Sequence, residues 1–322
     1  MDIFFVLSGF LVSGLIFSEF KRHGDVSVKR FLIRRGFKIY PPFWVVTVGS
    51  ILIITLIEKN HLTLRQFLGD ALFMQNYLGS FTGGTWSLAV EEHFYIFLSS
   101  WVVWRLWKQR SHPTDADPFR QLPTMFLIVL AACLAFRIRT WLRVPEFSHP
   151  AFLFRTHLRL DSLLWGVLIS YFLHFRLTPS LAAKLAKNRT LVVILGCTCL
   201  LPAFIFPVEI HRWVACFGVM LFSLGASLLV LATSVHPMNT TNPIIRATAF
   251  CGARSYSVYL WHMNMLKLSL LLTPLFVNPG LGWFVTWITF VTASWLVGIA
   301  MAFSVEFPAL RLRDRWFKST AI

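Results

Sequence analysis

Nine apolar stretches recur along this chain, at roughly residues 3–18, 41–57, 86–107, 122–138, 158–175, 190–207, 214–234, 255–273 and 282–305. A helix needs ~20 apolar residues to cross the hydrocarbon of a bilayer. A soluble domain could not bury nine such stretches, because folded proteins of this size keep a large polar skin. Of the 322 residues, 56% are hydrophobic and only 14% are charged, whereas soluble domains carry about 25%. These figures exclude an ordinary cytosolic enzyme, a secreted disulfide scaffold and a disordered regulator. They predict an all-α, polytopic transmembrane helix bundle of about nine spans. The connections are short, so residues 1–322 read as one integral-membrane domain with no separate soluble part.

Lysine and arginine orient the bundle. Connections 19–40, 105–120, 176–189, 235–254 and 306–322 hold 21 of the 30, and the alternate connections hold eight. The richer side is expected to be cytoplasmic, C-terminus included, as in a bacterial inner membrane. The net charge of +16 then belongs with membrane lipid and not with nucleic acid. Two features depart from the pattern. The outer connection 137–159 holds Arg137, Arg139, Arg143, Arg155 and Arg159, too many for a passive turn. Met1-Asp2 runs straight into an apolar helix with no basic flank, so a preceding helix is expected. Gly9 and Ser13 form a small-x-x-x-small face suited to close packing, which points to the same missing neighbour. The five cysteines lie in or beside apolar runs with no zinc spacing, so buried free thiols are expected and no metal.

Four motifs carry chemistry. In KRHGDVSVKRFLIRRGFKIYPP, Arg30, Arg34 and Lys38 share a face if the stretch is helical, with Arg35 close by. Pro41-Pro42 is expected to end or kink that helix. Such a cationic face suits a polyphosphate, and it would serve equally as an anchor on anionic lipid. In GGTWSLAVEEHFY, Gly83-Gly84 form a turn and Thr85 or Ser87 caps the next helix. Ser87, Glu91 and Tyr95 then share one face, with Glu92 turned away. Carboxylates at the edge of a span either line a polar cavity or cap the helix. In RTHLRLDSLLWG, His157 and Asp161 are spaced to hydrogen-bond as a general base pair or as a polar lock between helices, with Arg159 on the other side. In GARSYSVYLWH, Ser255, Tyr259 and His262 make a polar stripe, a site or an interhelical hydrogen bond. Glu306 in VEFP is expected to end the last span at the headgroups.

MDIFFVLSGFLVSG, FLIRRGFKIYPPFW, TWSLAVEEHFYIF, THLRLDSLLWGVL, SYSVYLWH and VEFP, in this order over nearly all of residues 1–310, resemble the acyltransferase-3 family of multispanning membrane acyltransferases. The resemblance implies about ten spans. It implies transfer of an acyl group, often acetyl, from acyl-CoA to a hydroxyl of a carbohydrate or other cell-envelope acceptor. The family's arginine motif matches Arg35-x-x-Lys38, with Arg34 beside it, as the donor-binding group. Its glutamate matches Glu91. Asp2, Ser8 and Gly9 match its D-x-FFVLSG stretch, and His157, Arg159, Asp161 and His262 match later motifs. Here Glu91, His157, Asp161 and His262 are the candidate catalytic residues and Arg159 the acceptor-side residue. Lys38 lacks the planar fork of arginine, which weakens a bidentate phosphate grip. The family's proposed catalytic histidine belongs to the helix before D-x-FFVLSG and has no match in this chain. An inactive relative that binds without turnover is therefore one alternative, and a small-molecule transporter is another.

Overall fold

The computed structural model describes residues 1–59, 61–111, 117–235, 241–276 and 279–318; parts of connections 105–120, 235–254 and 274–281 lie outside them. Among the described residues every regular element is helical. The helices are α1 (Asp2–His23), α2 (Val28–Ile53), α3 (Leu64–Ala71), α4 (Gln75–Leu78) and α5 (Trp86–Ser111). Next come α6 (Leu122–Arg143), α7 (Leu160–Tyr171), α8 (Pro179–Lys187), α9 (Arg189–Leu200) and α10 (Pro202–Ile205). The last four are α11 (Val219–Ser234), α12 (Pro243–Phe276), α13 (Pro279–Met301) and α14 (Phe307–Trp316).

All nine apolar stretches are helical, and the chain is an integral membrane protein. Among the described residues, five helices are long and apolar enough to cross a membrane, or six if α8 and the bent run after it count as one span. Expected spans that miss this threshold do so for visible reasons. The α5 helix carries Glu91, Glu92, His93 and Arg105, and α7 is 12 residues long.

The chain divides into two compact units. One comprises the described part of 1–28 and 87–238, the other that of 29–86 and 239–319. In the first, α1 lies against α7 and α11, α11 against α9, and α6 against α7. Lipid is as apolar as leucine, so close packing and hydrogen bonds, not hydrophobicity, hold such helices together. Gly9 supplies the closeness: a Cβ there would stand 2.0 Å from the carbonyl oxygen of Leu163. Gly166 answers from α7, where a Cβ would stand 1.9 Å from the carbonyl oxygen of Val6. The small-residue face of α1 therefore has its neighbour within this chain, α7, which corrects the expectation of a missing one. At the other end of the pair, Phe17 packs on Phe119 at 5.1 Å and Phe175 at 5.5 Å between ring centroids.

The second unit is built on α2, α12 and α13. A Cβ on Gly298 would lie 2.6 Å from Val258 Cα, so α13 rides close on α12. Ser50 of α2 and Asn264 of α12, both buried, exchange hydrogen bonds at 2.8 and 3.1 Å. The α2 helix continues through Pro41 and Pro42, so of the two expected outcomes, an end or a kink, the end does not occur. The Tyr256 hydroxyl donates to the Ile39 carbonyl at 2.9 Å, tying α12 to α2 just before the two prolines. Glu306 differs too. The chain passes from α13 through a π turn into α14, and Glu306 is buried, accepting a 2.7 Å hydrogen bond from Ser257. Glu306 is thus a buried polar contact between helices, and the helix runs on past it, against the expectation that it would end there.

Candidate functional site

Each unit carries its own set of polar residues. In the first unit, Ser87, Glu91 and Tyr95 are all buried on one face of α5, as their spacing predicts. Tyr95 Oη meets Ser8 Oγ of α1 at 3.1 Å. Two residues on, His93 Nδ1 meets Thr156 Oγ1 at 2.6 Å. Glu91 thus sits on a helix held by polar contacts on both sides of it.

The RTHLRLD motif is not a continuous helix. Residues 156–158 form a 3-10 turn, and α7 starts only at Leu160. The helical spacing that would join His157 to Asp161 is therefore absent. Asp161, fully buried, is instead paired with Arg137 of α6 at 2.5 Å. Arg137 Nε and Nη2 also donate to the Leu158 carbonyl at 2.9 and 2.6 Å, so one buried guanidinium locks both the turn and the start of α7. His157 points elsewhere, edge-on to Phe136 at 5.2 Å. Burial, and then the neighbouring Arg155, hold its pKa below the usual imidazole value, so it stays neutral at pH 7. Arg159 forms a 2.9 Å ion pair with Asp2 and lies 5.2 Å from the Phe5 ring centroid. Two separate residues of the resemblance, Asp2 and Arg159, thereby meet.

In the second unit, Arg34, Arg35 and Lys38 lie on α2. Arg34 donates to Asp314 of α14 at 3.0 Å and to the Phe317 carbonyl. Arg35 lies over the Phe31 ring at 5.8 Å. Lys38 is close enough to Glu306 to act on it through space. A phosphate gripping Arg34 must compete with Asp314. The Gly-Gly turn and the SYSVYLWH stripe come together in this unit. Tyr259 Oη donates to the Gly84 carbonyl at 2.6 Å, and a Cβ on Gly84 would lie 3.2 Å from His262 Cε1. His262 Nδ1 bonds the Tyr259 carbonyl, and the two rings stack at 5.4 Å. Ser255 lies on the same continuous helix, one turn before Tyr259, but is exposed and donates back to the Gly252 carbonyl.

Sequence reasoning missed Asp70, His93 and the role of Arg137. The partner of Arg137 lies 24 residues away, and no local spacing reveals it. Asp70 is buried in the 64–71 helix and accepts from Ser80 Oγ at 2.7 Å and Phe81 N at 2.9 Å, fixing the loop before α5. Burial raises its carboxyl above the ordinary 3.8, against those two hydrogen bonds. Its neutral form therefore supports the loop, and this support is lost as pH rises through the raised value. Hydrogen exchange of the 79–85 amides, corrected for intrinsic rate, should show protection falling as pH climbs above about 4, with Asp70→Asn flattening the trend. Protection that grows with pH would mean that hydrogen bonding, not burial, governs this group.

Among the described residues, no group of three or more His, Cys, Asp or Glu side chains could hold a metal. No solved structure matches the chain. It is 25% identical over 281 residues to a Staphylococcus aureus protein named O-acetyltransferase OatA, covering 81% of this chain and 45% of that one. It is 26% identical over 297 residues to the Listeria monocytogenes protein named peptidoglycan O-acetyltransferase OatA, covering 84% and 45%. The chain thus spans a little under half the length of these relatives. A family model described as an acyltransferase domain matches residues 1–305. That match takes in every motif described above except VEFP, which begins at its last residue, and the chain belongs to the acyltransferase-3 family.

Proposed function

We propose that this protein is a membrane O-acyltransferase that moves an acetyl group from acetyl-CoA to a hydroxyl of a cell-envelope glycan, peptidoglycan foremost. Family membership supports acyl transfer, and the names of the relatives supply acetyl and peptidoglycan. The observation that carries the reading is the buried Glu91 in a stripe with Ser87 and Tyr95 on α5. A carboxylate in a membrane helix is costly unless it works on a polar partner. In this reading Glu91 serves within the first unit as the acid–base carboxylate that handles the acceptor's proton. His262, beside the Gly84 turn, and His157 are the imidazoles proposed for proton transfer, Asp161 holds the turn that carries His157, and Arg159 faces the acceptor. Arg35 and Lys38, with Arg34, take the phosphates of the donor. The excess of lysine and arginine in alternate connections supports a donor face and C-terminus on the cytoplasmic side of a bacterial inner membrane.

Reconstituted proteoliposomes supplied with acetyl-CoA and glycan acceptor test it. Glu91→Gln should lower kcat by about two to four orders of magnitude, the usual range for a lost acid–base group. Arg35→Glu should raise KM for acetyl-CoA at least about tenfold with the bundle still folded. Undiminished transfer in Glu91→Gln would remove the carboxylate from the mechanism. Undiminished acetyl-CoA affinity in Arg35→Glu would remove the phosphate assignment.

A further inference from the structure

The excess of arginine in connection 137–159 has a structural form. A cavity of about 750 Å³ opens between the last turns of α6 and the segment 155–157. Its α6 wall is Phe136, Arg139, Thr140 and Arg143, which at helical spacing form one stripe. Arg155 and His157 make the facing wall. Among the described residues, the side chains of Arg139, Arg143 and Arg155 make no hydrogen bond or ion pair, unlike those of Arg137, Arg159 and Arg212. Three guanidiniums around one cavity without a carboxylate repel one another, and an anion relieves that repulsion.

The walls are held in place from behind. Arg137 fixes the turn that carries His157 through the Leu158 carbonyl. Arg212 donates to the Val144 and Pro145 carbonyls at 3.1 and 2.8 Å, pinning the chain as it leaves α6. The volume lies within the range of small-molecule sites and far exceeds that of a single phosphate. Phe136 adds an apolar face of the kind a sugar ring can cover.

We propose that this cavity binds the acceptor glycan through a carboxylate on its sugar, gripped by Arg139, Arg143 and Arg155. The proposal rests on the transferase reading and names the substrate class that the reading leaves open: an anionic, not a neutral, glycan.

The test is equilibrium binding without any acyl donor, on the full chain in nanodiscs of phosphatidylcholine. The probes are a tetrasaccharide containing N-acetylmuramic acid, whose lactyl ethers carry carboxylates, and chitotetraose, its neutral counterpart. The wild-type chain should prefer the anionic probe at least about tenfold. Arg139→Gln with Arg143→Gln should erase that preference and leave chitotetraose binding unchanged, which also shows the chain folded. Arg155→Gln, changed alone on the opposite wall, should weaken the preference in the same direction. Repeating the measurement with phosphatidylglycerol in the disc separates glycan from lipid. No preference in the wild-type chain, an undiminished preference in the double variant, or its loss when phosphatidylglycerol is present would each overturn the proposal. The last outcome would assign the cavity to a lipid headgroup. Preferential binding without any acetyl transfer would leave the cavity assignment standing and remove the transferase reading. Acetyl transfer with equal acceptor KM in wild type and double variant would do the opposite.

Discussion

Gly166→Ala will separate α1 from α7 and leave little folded protein. The added Cβ would sit 1.9 Å from the Val6 oxygen and 2.6 Å from the Phe10 nitrogen, both backbone atoms. Neither can move without carrying the whole of α1. Overpacking a dense interior commonly costs about 1–3 kcal/mol, and more where no flexible side chain can yield. Here the helices must part, so the larger cost is expected, about 3 kcal/mol or more. Parting them also loosens Asp2 from Arg159 and Ser8 from Tyr95, whose pairings depend on where α1 lies. Thermal unfolding of the detergent-purified variant, followed by loss of the monodisperse species, checks this. Gly252→Ala is the control, because a Cβ there meets nothing within 4 Å. Equal melting of Gly166→Ala and wild type would show that the α1–α7 contact is looser than the structure has it.

The second large effect concerns Arg137 and Asp161. Both are buried, at 2% and 0% side-chain exposure, so neither charge has water to fall back on. Removing one partner of a buried pair typically costs about 3–5 kcal/mol, because the other charge is left uncompensated. Arg137→Leu should therefore be severely destabilised. Arg137→Leu with Asp161→Leu should be less so, since two apolar side chains replace a pair that carried its own desolvation cost. A double-mutant cycle on thermal stability measures the coupling. Additive losses would mean that Arg137 matters only through the Leu158 carbonyl, which it also holds. Activity separates a further possibility. The double variant keeps a helix start at Leu160 but loses the lock on the 156–158 turn, so transfer should fall even where stability returns.

Much of the fold was legible in the sequence because the membrane imposes a length scale on apolar runs. All nine stretches became helices, and the Ser87–Glu91–Tyr95 face is buried as its spacing requires. What local spacing misled was the chemistry near helix ends. His157 and Asp161 look like an i, i+4 pair, yet a 3-10 turn intervenes and Asp161 takes a partner from α6. Pro41-Pro42 reads as a stop or a kink, yet α2 runs on as helix, with a tyrosine from α12 bonded just before them. Glu306 reads as a terminus until Ser257 is seen opposite it. Each correction comes from a contact across tens to hundreds of residues, and periodicity carries no information at that range.

The Arg34–Asp314 pair also has a history in time. Its two residues are 280 positions apart, and synthesis at about 5–20 residues per second separates them by roughly 14–56 s. For that interval the cationic turn of α2 has been made and its anionic partner has not. Any anion that α2 binds in that interval has to be displaced from Arg34 before α14 can complete the unit.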